Sequence, residues 1–125
     1  MIQQWLWIGF AGALGALARY SLTGLVQNLL GPGFPWGTAF VNVLGSFLFG
    51  VIWSLAEGRL ALTPQTRTIV LTGFMGAFTT FSTFMFETGG LMRDAQWTLA
   101  FGNIALQVII GLACLFAGLA VGQLM

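Results

Sequence analysis

From Trp36 to Ala56 no side chain is charged, and the same holds from Trp97 to Leu124. Apolar runs of about 20 residues match the hydrocarbon thickness of a bilayer, so they constrain the fold before any motif is considered. The rest of the 125 residues does little to offset them. Four arginines, no lysine, three acids and no histidine make the chain 6% charged and 58% hydrophobic. A water-soluble domain carries about a quarter charged residues, and this chain could not cover a water-facing surface. It reads as an all-α integral membrane protein, one domain over residues 1–125 with room for four transmembrane helices and little else.

The same composition excludes whole classes of chemistry. A lone cysteine, Cys114, permits neither an internal disulfide framework nor a cysteine metal site, and reads as a small buried hydrophobe. Without histidine or clustered carboxylates, a transition-metal site or hydrolytic centre has no ligands to be built from, and an enzyme is not expected. Ala16-Leu17-Ala18 resembles a signal-cleavage site, but MIQQ carries no cationic side chain and the apolar run continues past Arg19 toward Leu30. The first helix is expected to stay.

Turn chemistry divides the chain into spans. The first, about Trp5 to Leu29, ends at GPGFP, residues 31–35, and the second runs from Trp36 to Ala56. Thr63 suits an N-cap and Pro64 the first helical position, which starts a third span over about Gln65 to Met92. A polar turn at Arg93 and Asp94 leads to a fourth, Trp97 to Leu124. Trp5, Trp7, Trp36 and Trp97 fall near span ends, the headgroup level that amphipathic rings favour.

Four spans put both termini on one side with Arg59 and Arg67, leaving Arg93, and Arg19 if it reaches outward, on the other. Topology follows a bias in loop arginines and lysines, and here there is almost none. Two readings stay open: insertion in both orientations with assembly as an antiparallel pair, or one weakly specified topology.

Polar and small residues follow helical ridges. Thr38, Asn42, Ser46, Gly50 and Ser54 recur every fourth residue in the second span, as do Asn103, Gln107 and Gly111 in the fourth. Gly9, Gly12, Gly15, Ala16 and Arg19 share a face of the first. Close helix packing accounts for the glycines. Asn42 is an embedded amide, which either binds helices together or lines a pathway; with Gln107 and Asn103 on another helix, two facing polar ridges would make a track. Arg19 either snorkels outward or gives a vestibule a positive potential. Glu87, the one embedded acid, either pairs with an arginine or faces a pore mouth.

The stretch TGFMGAFTTFSTF, residues 72–84, is the least helix-like part of the third span. Gly73 and Gly76 each weaken a helix by about 1 kcal/mol relative to alanine, and the hydroxyls of Thr79, Thr80, Ser82 and Thr83 compete for backbone groups. A mid-membrane break is expected, and such a break is tolerated only where it is buried in protein or lines a cavity. Freed carbonyls suit a hard cation, and a half-helix N-terminus suits an anion. Phe81 and Phe84, three apart, either pack against neighbours or present positive ring edges to an anion without a trapping counter-charge.

GxxGxxTTFSTF, preceded by WGTxxVN and by an arginine late in the first helix, resembles the Fluc (CrcB) family of fluoride channels over essentially the whole chain. The resemblance implies an antiparallel, dual-topology homodimer in the bacterial inner membrane, with two pores, a structural Na+ at its centre and a role in fluoride resistance. It implies that Phe81 and Phe84 form aromatic fluoride sites and that Gly76 and Thr79 give backbone carbonyls to the Na+, each used twice. It makes Asn42 a pore amide donor, Thr38, Ser82 and Thr83 pore lining, and Arg19 a vestibule residue, while Glu87, Asn103 and Gln107 fall at the pore or its mouth. Asn103 departs from the family, which commonly has tyrosine there. Partners implied are fluoride, membrane lipid and a second copy of the chain, with no nucleic acid.

Two other classes compete. A small dual-topology, proton-coupled multidrug exporter has a similar size, but needs an acid in its first helix, and this one has only Arg19. A non-transporting subunit held by glycine faces would tolerate small or apolar replacements of Asn42, Phe81 and Phe84.

Overall fold

The computed structural model describes residues 1–125 and is helical throughout, with four helices in chain order. They are α1 (Ile2–Leu30), α2 (Trp36–Glu57), α3 (Pro64–Arg93) and α4 (Trp97–Leu124). Of these, α2, α3 and α4 are long and apolar enough to cross a membrane. The expectation of four such spans is therefore met in part: α1 has 29 residues, but Gln3, Gln4, Arg19, Gln27 and Asn28 dilute its apolar character.

Local chemistry sets the helix ends. Gly31, in the left-handed region at φ 93°, stops α1. Gln27 then ties down the connection, its Nε2 donating to the carbonyls of Gly31 (2.6 Å) and Phe34 (2.8 Å) while its Oε1 accepts from the Gly37 amide (3.1 Å). Thr63 caps α3 by accepting from the Thr66 amide at 3.2 Å, with Pro64 in the first turn.

Glycines set the packing. Ridges of α2 and α4 approach until a Cβ on Gly118 would collide with the Phe47 carbonyl and one on Gly50 with that of Leu115. Ser54 Oγ bonds the Leu119 carbonyl at 2.8 Å across the same seam. On the other flank, a Cβ on Gly15 of α1 would meet the Phe74 carbonyl of α3, and one on Gly73 would lie 3.0 Å from the Ala11 methyl. Small residues of this kind let membrane helices reach van der Waals and hydrogen-bond contact. Val41, Leu71, Met75 and Phe78 form the apolar centre between α2 and α3. Cys114 is half-buried on α4, more exposed than expected of a core hydrophobe.

Two stretches are wound as π-helix, Ile69–Met75 in α3 and Leu106–Ile110 in α4. Thr79 (φ −98°, ψ 162°) and Thr80 (φ −150°, ψ 115°) are extended between the helical turn Gly76–Phe78 and the helical stretch Phe81–Arg93.

Candidate functional site

An extended residue inside a helix strands backbone groups that must be satisfied elsewhere. Thr80 solves this with a side chain from another helix. Its amide, which would meet the Gly76 carbonyl in a continuous α-helix, donates to Asn42 Oδ1 at 2.8 Å. Its carbonyl accepts from Asn42 Nδ2 at 3.0 Å. The Thr80 hydroxyl turns inward along its own chain and caps the following helix, accepting from the Thr83 amide at 3.3 Å.

The Asn42 amide continues into a buried polar chain. Its Nδ2 also donates to Gln107 Oε1 at 2.6 Å. Gln107 Nε2 donates to Asn103 Oδ1 (2.9 Å), and Asn103 Nδ2 to Thr88 Oγ1 (2.9 Å). Thr88 Oγ1 donates to the Phe84 carbonyl at 2.7 Å. Asn103 is fully buried, Thr88 and Gln107 nearly so. The ridges of α2 and α4 thus meet through their amides.

Two cavities flank the interruption and share Thr80. The first, of about 510 Å³, is walled by Asn42, Ser46, Gly76, Thr79, Thr80, Phe81, Phe84 and Gln107 among others. The Phe81 and Phe84 rings are edge to face, centroids 6.0 Å apart and planes at 82°. Phe84 is buried, whereas Phe81 is 72% exposed on the single chain. The second cavity, of about 470 Å³, has Arg19, Thr23, Thr38 and Thr83 in its wall. Arg19 Nε donates to the Ala77 carbonyl at 2.9 Å, at the C-terminal turn of the first half of α3. A cation there meets the negative end of that half-helix.

The remaining sequence candidates stand apart from both cavities. Ser82 is exposed and lines neither. Glu87 lines neither and makes no ion pair; its Oε1 is enclosed and unpartnered. The ion pair of the chain joins Arg67 and Glu57 at 3.9 Å, with Arg67 also 5.0 Å over the Trp53 ring. Asn103 lies behind the first cavity rather than in its wall.

A sequence profile described as "CrcB-like protein, Camphor Resistance (CrcB)" matches residues 6–119. The chain belongs to the CrcB family. A protein of Nitrosococcus oceani named "Fluoride-specific ion channel FluC" is 57% identical over 124 residues, 99% of each chain. Proteins of the same name from Solidesulfovibrio magneticus, covering 99% of each chain, and Nitratidesulfovibrio vulgaris strain Miyazaki F, covering 98% of this chain and 99% of that one, are each 54% identical.

In this CrcB chain, sequence reasoning missed two participants in the polar chain. Thr88 follows Phe84 by four residues, so its hydroxyl can reach that carbonyl along one ridge; asking where a buried Asn103 finds an acceptor would have exposed it. The Thr80 peptide was the other, hidden because its partner lies 38 residues away.

Proposed function

We propose that this CrcB protein is a fluoride-selective ion channel that lets cytoplasmic fluoride leave passively across a bacterial membrane. The observation that carries the reading is the meeting of two cavities at Thr80, one bordered by a guanidinium and hydroxyls, the other by amides and phenyl rings. The full-length relatives named as fluoride-specific channels support the same conclusion.

Fluoride is small and a strong hydrogen-bond acceptor, so hydroxyl donors replace its hydration at the cost of little space. Asn42, whose two amide hydrogens go to the Thr80 carbonyl and Gln107 Oε1, is not free to donate to it as the resemblance implied. Arg19 raises the local anion concentration at one mouth. Ring edges then carry the ion without a fixed positive charge that would hold it. On this reading Thr38 and Thr83 line the approach, Phe81 and Phe84 the narrow passage, and Asn42 holds the passage open at the interrupted helix. Ser82 reaches an ion path only if a neighbouring copy closes around it.

The interruption of α3 lies mid-membrane on this reading, and α1 completes four spans by packing its glycine face against α3. Assembly is an antiparallel homodimer in the inner membrane. Loss of the Thr80 amide frees the Gly76 carbonyl from its helical donor, and the adjacent Thr79 is extended. Carbonyl oxygens are the donors that hard cations prefer, so the residues present fit a structural Na+. Two carbonyls make half a shell; a two-fold-related copy would double it and join the subunits.

The deciding experiment is anion efflux from liposomes containing purified protein, with fluoride and chloride compared by ion-selective electrodes. Rapid fluoride release with negligible chloride release is expected. Release of neither ion by folded, dimeric protein would overturn the reading.

A further inference from the structure

The polar chain behind Asn42 begins and ends on backbone groups of the same helix. Thr80 N–H can only donate, and the Phe84 carbonyl can only accept. Between them every side chain is forced into one orientation. Oδ1 of Asn42 must face the Thr80 amide, which turns its Nδ2 toward the Thr80 carbonyl and Gln107 Oε1. Gln107 Nε2 then faces Asn103 Oδ1, and Asn103 Nδ2 faces Thr88 Oγ1, whose proton goes to Phe84. Turning any one amide over would set donor against donor and acceptor against acceptor in a buried site. The orientations of the three amides are therefore determined by the two fixed ends.

We propose that Gln107, Asn103 and Thr88 are positioning residues: a one-way relay that holds the Asn42 amide in the orientation needed to clamp the Thr80 peptide. Asn103 touches neither Thr80 nor either cavity that Thr80 borders, and acts through two intervening amides. Both hydrogens of Asn42 are committed, so Asn42 has no freedom to turn while the relay is intact. The π-helical turn Leu106–Ile110 contains Gln107, the member that bridges α2 to Asn103. It is the kind of local winding defect that re-aims a side chain at a functional site. Any effect of the relay on ion flow rests on the fluoride-channel reading; its effect on the Thr80 peptide does not.

The test uses full-length protein labelled with ¹⁵N-threonine in lipid nanodiscs, following amide hydrogen exchange at Thr80 with Thr23, in the interior of α1, as internal reference. In Asn103→Leu and Thr88→Val, exchange at Thr80 is expected to accelerate by about ten-fold or more, with Thr23 changed by less than about two-fold, because only a local opening is released. Thr88→Ser keeps the hydroxyl and is expected to match the parent, as is its fluoride efflux, while the other two variants lose efflux. Unchanged Thr80 exchange in Asn103→Leu, or equal acceleration at Thr80 and Thr23, would overturn the relay. If Asn103→Leu does not fold, the Thr88→Val and Thr88→Ser pair decides by the same criteria. A parent protein that passes no fluoride would sink the channel reading and leave the exchange result standing.

Discussion

Asn42 and Thr80, 38 residues apart, are joined by a pair of hydrogen bonds in which one side-chain amide replaces the helical partners of one residue's N–H and C=O. The pair stabilises the extended backbone at Thr79 and Thr80, which otherwise exposes polar groups to an apolar surrounding. It also explains why an asparagine stands inside α2, where a short amide with one acceptor and two donors matches a peptide N–H and C=O and still reaches Gln107.

Replacing Asn42 with leucine leaves the Thr80 amide, the Thr80 carbonyl and Gln107 Oε1 without their partner. Each buried unsatisfied group costs about 1–3 kcal/mol, with the lower end expected in a membrane, where the unfolded reference also finds partners. Asn42→Leu should therefore lower the thermal unfolding midpoint in detergent and reduce fluoride efflux at least ten-fold, equivalent to a rise of about 1.4 kcal/mol in the effective barrier. Parental efflux in this variant would show that the clamp is dispensable.

Phe81 and Phe84 differ in surroundings although they share a face, one exposed and one buried. Isoleucine keeps the bulk and removes the quadrupole whose positive edge can meet an anion. Both Phe81→Ile and Phe84→Ile should slow fluoride efflux with assembly intact by size-exclusion chromatography. Phe84→Ile should also lower thermal stability, because its ring is packed in the chain. Normal efflux in both would remove the ring-edge mechanism.

Much of the secondary structure was legible because it depends on nearest neighbours. GPGFP ended α1, Thr63-Pro64 opened α3, and ridges of small residues marked the seam between α2 and α4. The polarity of α1 was judged less well, since its glutamines and Arg19 are spread so that no short window looks polar. The clamp and its relay were not legible: their members lie on three helices, and periodicity shows which residues share a face but not which faces meet or in what register. The π-helical turn at Gln107 was invisible for the same reason, since it is tertiary contact rather than local propensity that rewinds such a stretch. Gln27 closed the first connection through backbone groups, which carry no sequence signature at all.

Arg19 touches the Ala77 carbonyl and also borders the second cavity, so charge and hydrogen bonding can be separated. Arg19→Lys keeps the charge but not the planar donor geometry, whereas Arg19→Gln loses the charge. If attraction of anions dominates, Arg19→Gln should reduce efflux several-fold at low ionic strength and much less at high salt, where the Debye length is short. Equal losses in both variants, independent of salt, would assign Arg19 to holding the half-helix end instead.

The seam between α2 and α4 makes the sharpest packing prediction, because two glycines on the same helix have opposite surroundings. A methyl at Gly118 would run into the Phe47 carbonyl, a backbone atom that cannot move without displacing α2. A methyl at Gly102 would meet nothing within 4 Å. Overpacking typically costs about 1–3 kcal/mol, while a free helical glycine gains up to about 1 kcal/mol on becoming alanine. Gly118→Ala should thus lower the unfolding midpoint in detergent, and Gly102→Ala should leave it level or raise it. The displacement also has a functional reading, since α2 carries Asn42 and α4 carries Gln107 across a 2.6 Å hydrogen bond. Separating the helices by even a fraction of an ångström lengthens that bond, so Gly118→Ala should slow efflux as well. A Gly118→Ala protein with parental stability would mean that the two helices are not held at the spacing described.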